Sequence, residues 1–212
     1  DLKSRWDKQI IFHRQVFKRS DAENFIQKVT SQELMYILKF PFNQISALQG
    51  TANLRYDRTT YLSIDYYSLR KPDLYKLWGG LKLEYIFDNS RQLGLNLYEG
   101  TRSKIFFEAF KQLDQERSDL FVTGFDFRHY IRIHRNLIWA NRLAASTSFG
   151  GSKLVYYLGG VDNWINYPGG SQIFDYSTGI NEQQNYVYQA VATNLRGFKQ
   201  NVRNGNTFML AN

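Results

Sequence analysis

Asp126 with His129, and Glu108 with Asp114, are the pairs whose types suit acid and base work, since a carboxylate beside an imidazole or a second carboxylate can hold and pass a proton. Neither pair has a nucleophile nearby in a recognisable elbow, so a hydrolytic set has no third member. His129 and His134 differ in parity along one alternating segment and therefore face apart, which is wrong for a shared metal. Cys is absent, which removes thiolate ligands and disulfides together. The sequence has neither a P-loop nor a Gly-x-Gly-x-x-Gly segment. The expectation is a protein that is not an enzyme, with no catalytic residues, no metal and no cofactor. The 27 basic against 19 acidic residues leave +8, and 15 Tyr and 16 Phe are interleaved with them, a mixture that can stack bases and meet phosphates. The basic residues are spread over the whole chain and form no cluster, so no nucleic-acid partner is expected.

The elements that carry these residues alternate with period two. From Ser46 to Asp57 the even positions include Leu48, Gly50, Ala52, Leu54 and Tyr56, and the odd ones Gln49, Thr51, Asn53, Arg55 and Asp57. Leu81, Leu83, Tyr85 and Phe87 alternate with Lys82, Glu84, Ile86 and Asp88. Phe121, Phe125, Phe127, Ile131 and Ile133 alternate with Asp126, Arg128, Tyr130 and Arg132, and Leu137, Trp139, Leu143, Ala145 and Phe149 with Arg142, Ser146 and Ser148. Weaker strands are expected near Lys8 to Phe17, Leu34 to Phe40, Thr59 to Tyr67 and Lys104 to Leu113. One short helix is the candidate for Asp21 to Gln32. The fold class is therefore all-β and antiparallel. Several segments exceed the mean strand of about 5 to 6 residues in soluble proteins, and such length suits a tilted membrane strand. A soluble sandwich or a lipocalin-like barrel shows the same alternation. The polar face separates them: Arg55, Asp57, Lys82, Glu84, Asp126, Arg128, Arg132 and Arg142 suit a wet lumen better than a dry core. Trp78, Trp139, Trp164, Tyr61, Tyr156 and Tyr157 are expected in interfacial girdles.

Two segments say more than the periodicity. Phe87-Asp88-Asn89-Ser90-Arg91 is followed by Gly100-Thr101-Arg102 at the head of the next strand, which on its own reads as a hairpin loop, with Asp and Asn bonding their own backbone and Gly supplying positive φ. Ala192-Thr193-Asn194-Leu195-Arg196-Gly197-Phe198 continues through Lys199-Gln200-Asn201-Val202-Arg203-Asn204-Gly205-Asn206 into a final apolar segment. Between them lie three expected strands, Arg102 to Asp114, Asp119 to Ile133 and Leu137 to Phe149.

In this order and inside long alternating strands, the two segments resemble the outer-membrane barrel of the BamA superfamily, also called the bacterial surface antigen family. In that family an Asp-rich turn precedes three strands and a long extracellular loop with a Val/Ile/Leu-Arg-Gly-Phe/Tyr motif. The turn motif here is Asp88, Asn89, Arg91, Gly100 and Arg102, and the loop motif is Leu195, Arg196, Gly197 and Phe198. The longer phrase around the motif is most similar to the form that follows a propeller of Tol-like repeats. The resemblance runs from about Leu34 onward.

The resemblance implies a 16-strand antiparallel transmembrane β-barrel in the bacterial outer membrane, with a long extracellular loop at about 150 to 205. It implies that Arg196 folds into the lumen to meet acidic and aromatic side chains, that Gly197 lets the loop turn and that Phe198 wedges it. The implied function is insertion, assembly or translocation of proteins at that membrane; the alternative is a barrel that only anchors a partner complex, and behind it a soluble ligand-binding β-domain. Outer-membrane lipid and client proteins or partner subunits are the implied partners. Asp1 to Trp6 lacks signal-peptide character, and the strands expected to supply the partner of Arg196 fall beyond Asn212. The 212 residues are thus expected to be a fragment of a longer barrel.

Overall fold

The computed structural model describes residues 5–20, 26–62, 66, 70, 72–95, 97–114, 118–135, 137–159, 178, 186–194, 199 and 201–212. Their strands are β1 (Asp7–Ser20), β2 (Ile26–Pro41), β3 (Ser46–Tyr61), β4 (Leu74–Asp88), β5 (Arg91–Gly94), β6 (Leu97–Gln112), β7 (Asp119–His134), β8 (Leu137–Gly150), β9 (Lys153–Gly159), β10 (Tyr186–Asn194), β11 (Arg203–Gly205) and β12 (Thr207–Ala211). Nine strands form an antiparallel sheet in the order β1-β2-β3-β4-β6-β7-β8-β12, with β5 on β6; a second sheet has the order β10-β9-β11. The chain divides into two compact units, Asp1–Leu83 with Glu108–Asp119, and Glu84–Phe107 with Leu120–Asn212.

In the first unit β1 and β2 pair from Asp7↔Lys39 to Ser20↔Ile26, and β2 and β3 from Gln27↔Tyr61 to Pro41↔Ala47. Pro41 offers no N–H to continue the ladder. The chain then turns on Asn43, whose Oδ1 accepts from the backbone N–H of Ile45 at 3.0 Å and of Ser46 at 2.7 Å. Even positions of β1, β2 and β3 present Ile10, Phe12, Val16, Leu34, Tyr36, Leu48, Leu54 and Tyr56, all exposed. The odd face holds Glu33 hydrogen-bonded to Asn53, and Arg55 paired with Asp57 at 3.0 Å. Lys82 meets Glu108 at 3.3 Å. Trp6, Phe40 and Phe42 pack with ring centroids 4.9 and 5.5 Å apart. Eight residues along β3 from Leu48, Tyr56 stacks with Tyr75 at 6.1 Å, and Arg58 lies over the Tyr75 ring. Asp73, just ahead of β4, accepts from Arg58 Nε at 3.0 Å and Nη2 at 2.6 Å, which holds its carboxyl below the ordinary carboxylate value.

In the second unit β7 and β8 pair from Leu120↔Gly150 to His134↔Leu137, with an irregularity between Arg132 and His134. β12 adds to β8 from Thr207↔Thr147 to Ala211↔Leu143. β9 pairs with β10 in parallel and with β11 antiparallel. The core of this unit includes Leu120, Val122, Ala144, Leu154, Val155, Tyr156, Tyr157 and Leu210.

Three expectations need correction. Ile26 to Gln32 is strand, because its odd residues Gln27, Val29 and Ser31 are buried and period two prevails over the weak helical pattern. Thr59 to Tyr61 does not begin a separate strand but completes β3, and the backbone at Tyr66 is helical; residues 63–65 and 67 lie outside the described residues. Trp78, Tyr156 and Tyr157 do not stand in an exposed girdle, being 3%, 7% and 4% exposed. Trp139 is 58% exposed, and Trp164 lies outside the described residues.

Candidate functional site

Asp126 and Arg128 stand two apart on β7, so they share a face, and the register sets Arg128 opposite Arg142 of β8. Two opposed cations would repel. Asp126 resolves this by accepting from both forks: Arg128 Nε and Nη2 reach its two oxygens at 3.0 Å each, and Arg142 reaches them at 3.4 Å through Nε and 2.8 Å through Nη2. The Asp126 side chain is 14% exposed and the Arg128 and Arg142 side chains 40% and 29%. Bidentate geometry on a sheltered carboxylate is the strong form of this contact. On the same face Glu84 is 7% exposed, and Lys104 Nζ stands 3.9 Å from Glu84 Oε1.

The turn motif is a built clasp. Asp88 Oδ1 accepts from the Ser90 backbone N–H at 3.0 Å and from its hydroxyl at 2.6 Å, while Asp88 Oδ2 meets Arg102 Nε at 2.8 Å. Asn89 donates its backbone N–H to the Thr101 carbonyl at 3.0 Å, and its side-chain oxygen accepts from the Thr101 N–H at 2.6 Å. Gly100 has φ 116°, and a Cβ there would come within 2.8 Å of the Asn89 carbonyl oxygen, so only glycine fits. The segment expected as a plain loop is itself paired: β5 joins β6, with Arg91 opposite Glu99 and 3.4 Å from it. Asp88, Arg102, Lys104, Asp126 and Arg128 line, with Ile86, Phe87 and Ser103, an open cleft of about 170 Å³ formed by β4, β6 and β7.

Further along the same strands the face changes character. Gly124 leaves room for the ring of Phe106, since a Cβ would lie 2.7 Å from that ring and 2.7 Å from the Ala145 carbonyl oxygen. Ser146 and Ser148 of β8 receive β9. The hydroxyls of Ser146 and Tyr156 are 2.8 Å apart, Ser148 Oγ accepts from the Leu154 N–H at 3.0 Å, and Asn206 Nδ2 donates to the Ser148 carbonyl at 3.1 Å. Phe208 meets Tyr156 edge-on at 4.9 Å.

Asp88, Asn89, Gly100 and Arg102 of the turn motif are thus brought together, and Arg91 joins them only through the β5–β6 pair. Leu195, Arg196, Gly197 and Phe198 lie outside the described residues. The two candidate acid and base pairs are not assembled. His129 Nδ1 meets Thr101 Oγ1 at 2.8 Å while Asp126 meets the arginines, and Glu108 meets Lys82 while Asp114 accepts from Gln112 Nε2 at 2.6 Å. The double clamp on Asp126 was not deduced from sequence, although the shared parity of Asp126, Arg128 and Arg142 was its visible signal. Neither family models, nor curated proteins, nor solved structures give a match to the chain.

Proposed function

We propose that this chain is part of a transmembrane β-barrel of the bacterial outer membrane, of the BamA superfamily type with 16 strands, that inserts, assembles or translocates proteins without covalent chemistry. One observation carries the membrane reading: burial is inverted along the strands. Leu81, Leu83 and Tyr85 are 67%, 58% and 43% exposed, whereas Glu84 between them is 7% exposed. Ile105 and Phe107 of β6, Phe127 and Ile131 of β7, and Leu137 and Trp139 of β8 repeat the exposed apolar series. In water such a surface loses roughly 25 cal/mol for each Å² left wet. Against lipid chains the loss disappears, and the paired ions of the opposite face suit a wet lumen.

The dimensions agree. Leu48 to Tyr56 spans about 26 Å along β3 at about 3.3 Å per residue, and a tilt of about 40° reduces this to about 20 Å, close to the apolar band of an outer-membrane strand. Aromatic groups sit toward its two ends, Phe40 and Phe42 at one and Tyr56 and Tyr75 at the other. The protein-handling part of the reading rests on resemblance: the clasp of Asp88, Asn89, Gly100 and Arg102, three long strands, and the Leu195-Arg196-Gly197-Phe198 motif in that order. In this reading Arg196 holds the loop inside the lumen, and outer-membrane lipid and client polypeptides are the partners.

The test is fractionation of cells followed by gel migration with and without boiling. The expected result is retention in the membrane after an alkaline wash, release by detergent, and migration that changes on heating. Extraction without detergent would overturn the membrane reading. Depletion of the full-length protein then separates assembly from anchoring: broad loss of other outer-membrane barrels supports assembly, and loss of a single partner pathway supports an anchor.

A further inference from the structure

The cleft between β4, β6 and β7 combines charge, room and position in a way that the ion pairs around it do not use up. Its lining carries three cations, Arg102, Lys104 and Arg128, against two carboxylates, Asp88 and Asp126. Asp88 is engaged by Arg102 at 2.8 Å, and Asp126 is divided between Arg128 and Arg142. Lys104 makes the loosest ionic contact of the three: its ammonium is 3.9 Å from Glu84, beyond hydrogen-bond reach, and 5.7 Å from the Phe106 ring centroid, with its side chain 46% exposed. The cleft, about 170 Å³ and open to solvent, has room for a carboxylate-bearing side chain. Its charged lining residues share the parity of the ion pairs, opposite to that of the exposed Ile105 and Phe107.

We propose that this cleft is a binding site for an acidic side chain, Asp or Glu, of a polypeptide handled by the protein. The ligand carboxylate takes the ammonium of Lys104 and the outward N–H groups of Arg102 and Arg128, which a guanidinium can offer while its other edge stays on Asp88 or Asp126. The proposal rests on the reading of the chain as a protein-handling barrel and names the feature of the client that its wall recognises.

The test is anisotropy of a labelled peptide of alternating Asp and Gly, against its Asn and Gly counterpart, titrated with the full chain in detergent. The Asp peptide binds about tenfold more tightly than the Asn peptide at low salt, and Lys104→Glu removes about tenfold of that preference. Arg135→Gln, at an exposed turn away from the cleft, leaves it unchanged and so separates the site from the general +8 charge. Equal binding of the two peptides, or equal loss in Lys104→Glu and Arg135→Gln, overturns the site. Heat-dependent migration of the same samples reports the barrel independently: a heat-modifiable chain without the preference sinks the site alone, and a chain soluble without detergent that shows it sinks the barrel reading while supporting the site.

Discussion

Two halves of one face, carried by the same strands β7 and β8, solve the problem of sheltered polar groups in opposite ways. Around Asp126 the face is ionic and open, with two guanidiniums on one carboxylate and a cleft beside them. Around Ser148 it is small and closed, with Leu120, Val122, Ala144, Ser146 and Ser148 seating β9 almost without exposed surface. Charge needs either water or a partner, whereas small hydroxyls can be covered once each finds a hydrogen bond. The open half is therefore where a ligand can enter, and the closed half is where the chain supplies its own occupant.

The largest expected effect comes from forcing the closed half apart. Gly124→Leu drives a side chain into the Phe106 ring and the Ala145 carbonyl, at a cost of about 3 kcal/mol, read as a lower unfolding midpoint in denaturant or loss of the heat-modifiable form. Next is Asp126→Ala, which leaves Arg128 and Arg142 opposed. About 2 kcal/mol is expected, less than for a fully buried pair because Arg128 is partly exposed. Adding Arg128→Gln to Asp126→Ala should restore part of the loss; if it restores none, the node is not an electrostatic unit. Tyr156→Phe removes the hydroxyl that meets Ser146, about 1 kcal/mol, and is expected to raise protease cutting within β9 while leaving peptide preference at the cleft untouched.

The smallest effect lies outside both halves. Because Arg58 holds the Asp73 carboxyl below its ordinary value, this pair contributes above the ordinary Asp pKa and the contribution is lost as pH falls through the lowered one. A stability profile in acid should therefore lose a small step in Asp73→Asn.

What the sequence made legible follows from how strictly types alternate. β4 and β7 have apolar residues on one parity and charges on the other, β8 sets large apolar residues against Arg142 and small residues, and these strands emerge where alternation places them. β2 was half hidden because Gln27, Lys28, Ser31 and Gln32 blur both parities. Aromatic type alone did not assign a side: Trp78, Tyr156 and Tyr157 are buried, while Trp139 is exposed, and only packing against β9 or the neighbouring strands decides. The turn motif was readable as residues that bond their own backbone: Asp88 does so through the Ser90 N–H, whereas the Asn89 side chain reaches the Thr101 N–H across the turn and Gly100 supplies the positive φ. The cleft was not readable, since it depends on register between strands, which no single segment encodes.

In the proposed barrel the exposed apolar parity faces lipid and the ionic parity faces water. The chain has no Cys, so single cysteines report without background. Lys104→Cys and Ile105→Cys, neighbours on β6, are to be reconstituted in liposomes and challenged with a charged, water-soluble maleimide, then with a lipid-borne quencher after labelling by a neutral fluorophore. Position 104 is expected to react with the charged reagent and escape the quencher, and position 105 to do the reverse. Equal reaction at both positions, without quenching at 105, would contradict this orientation.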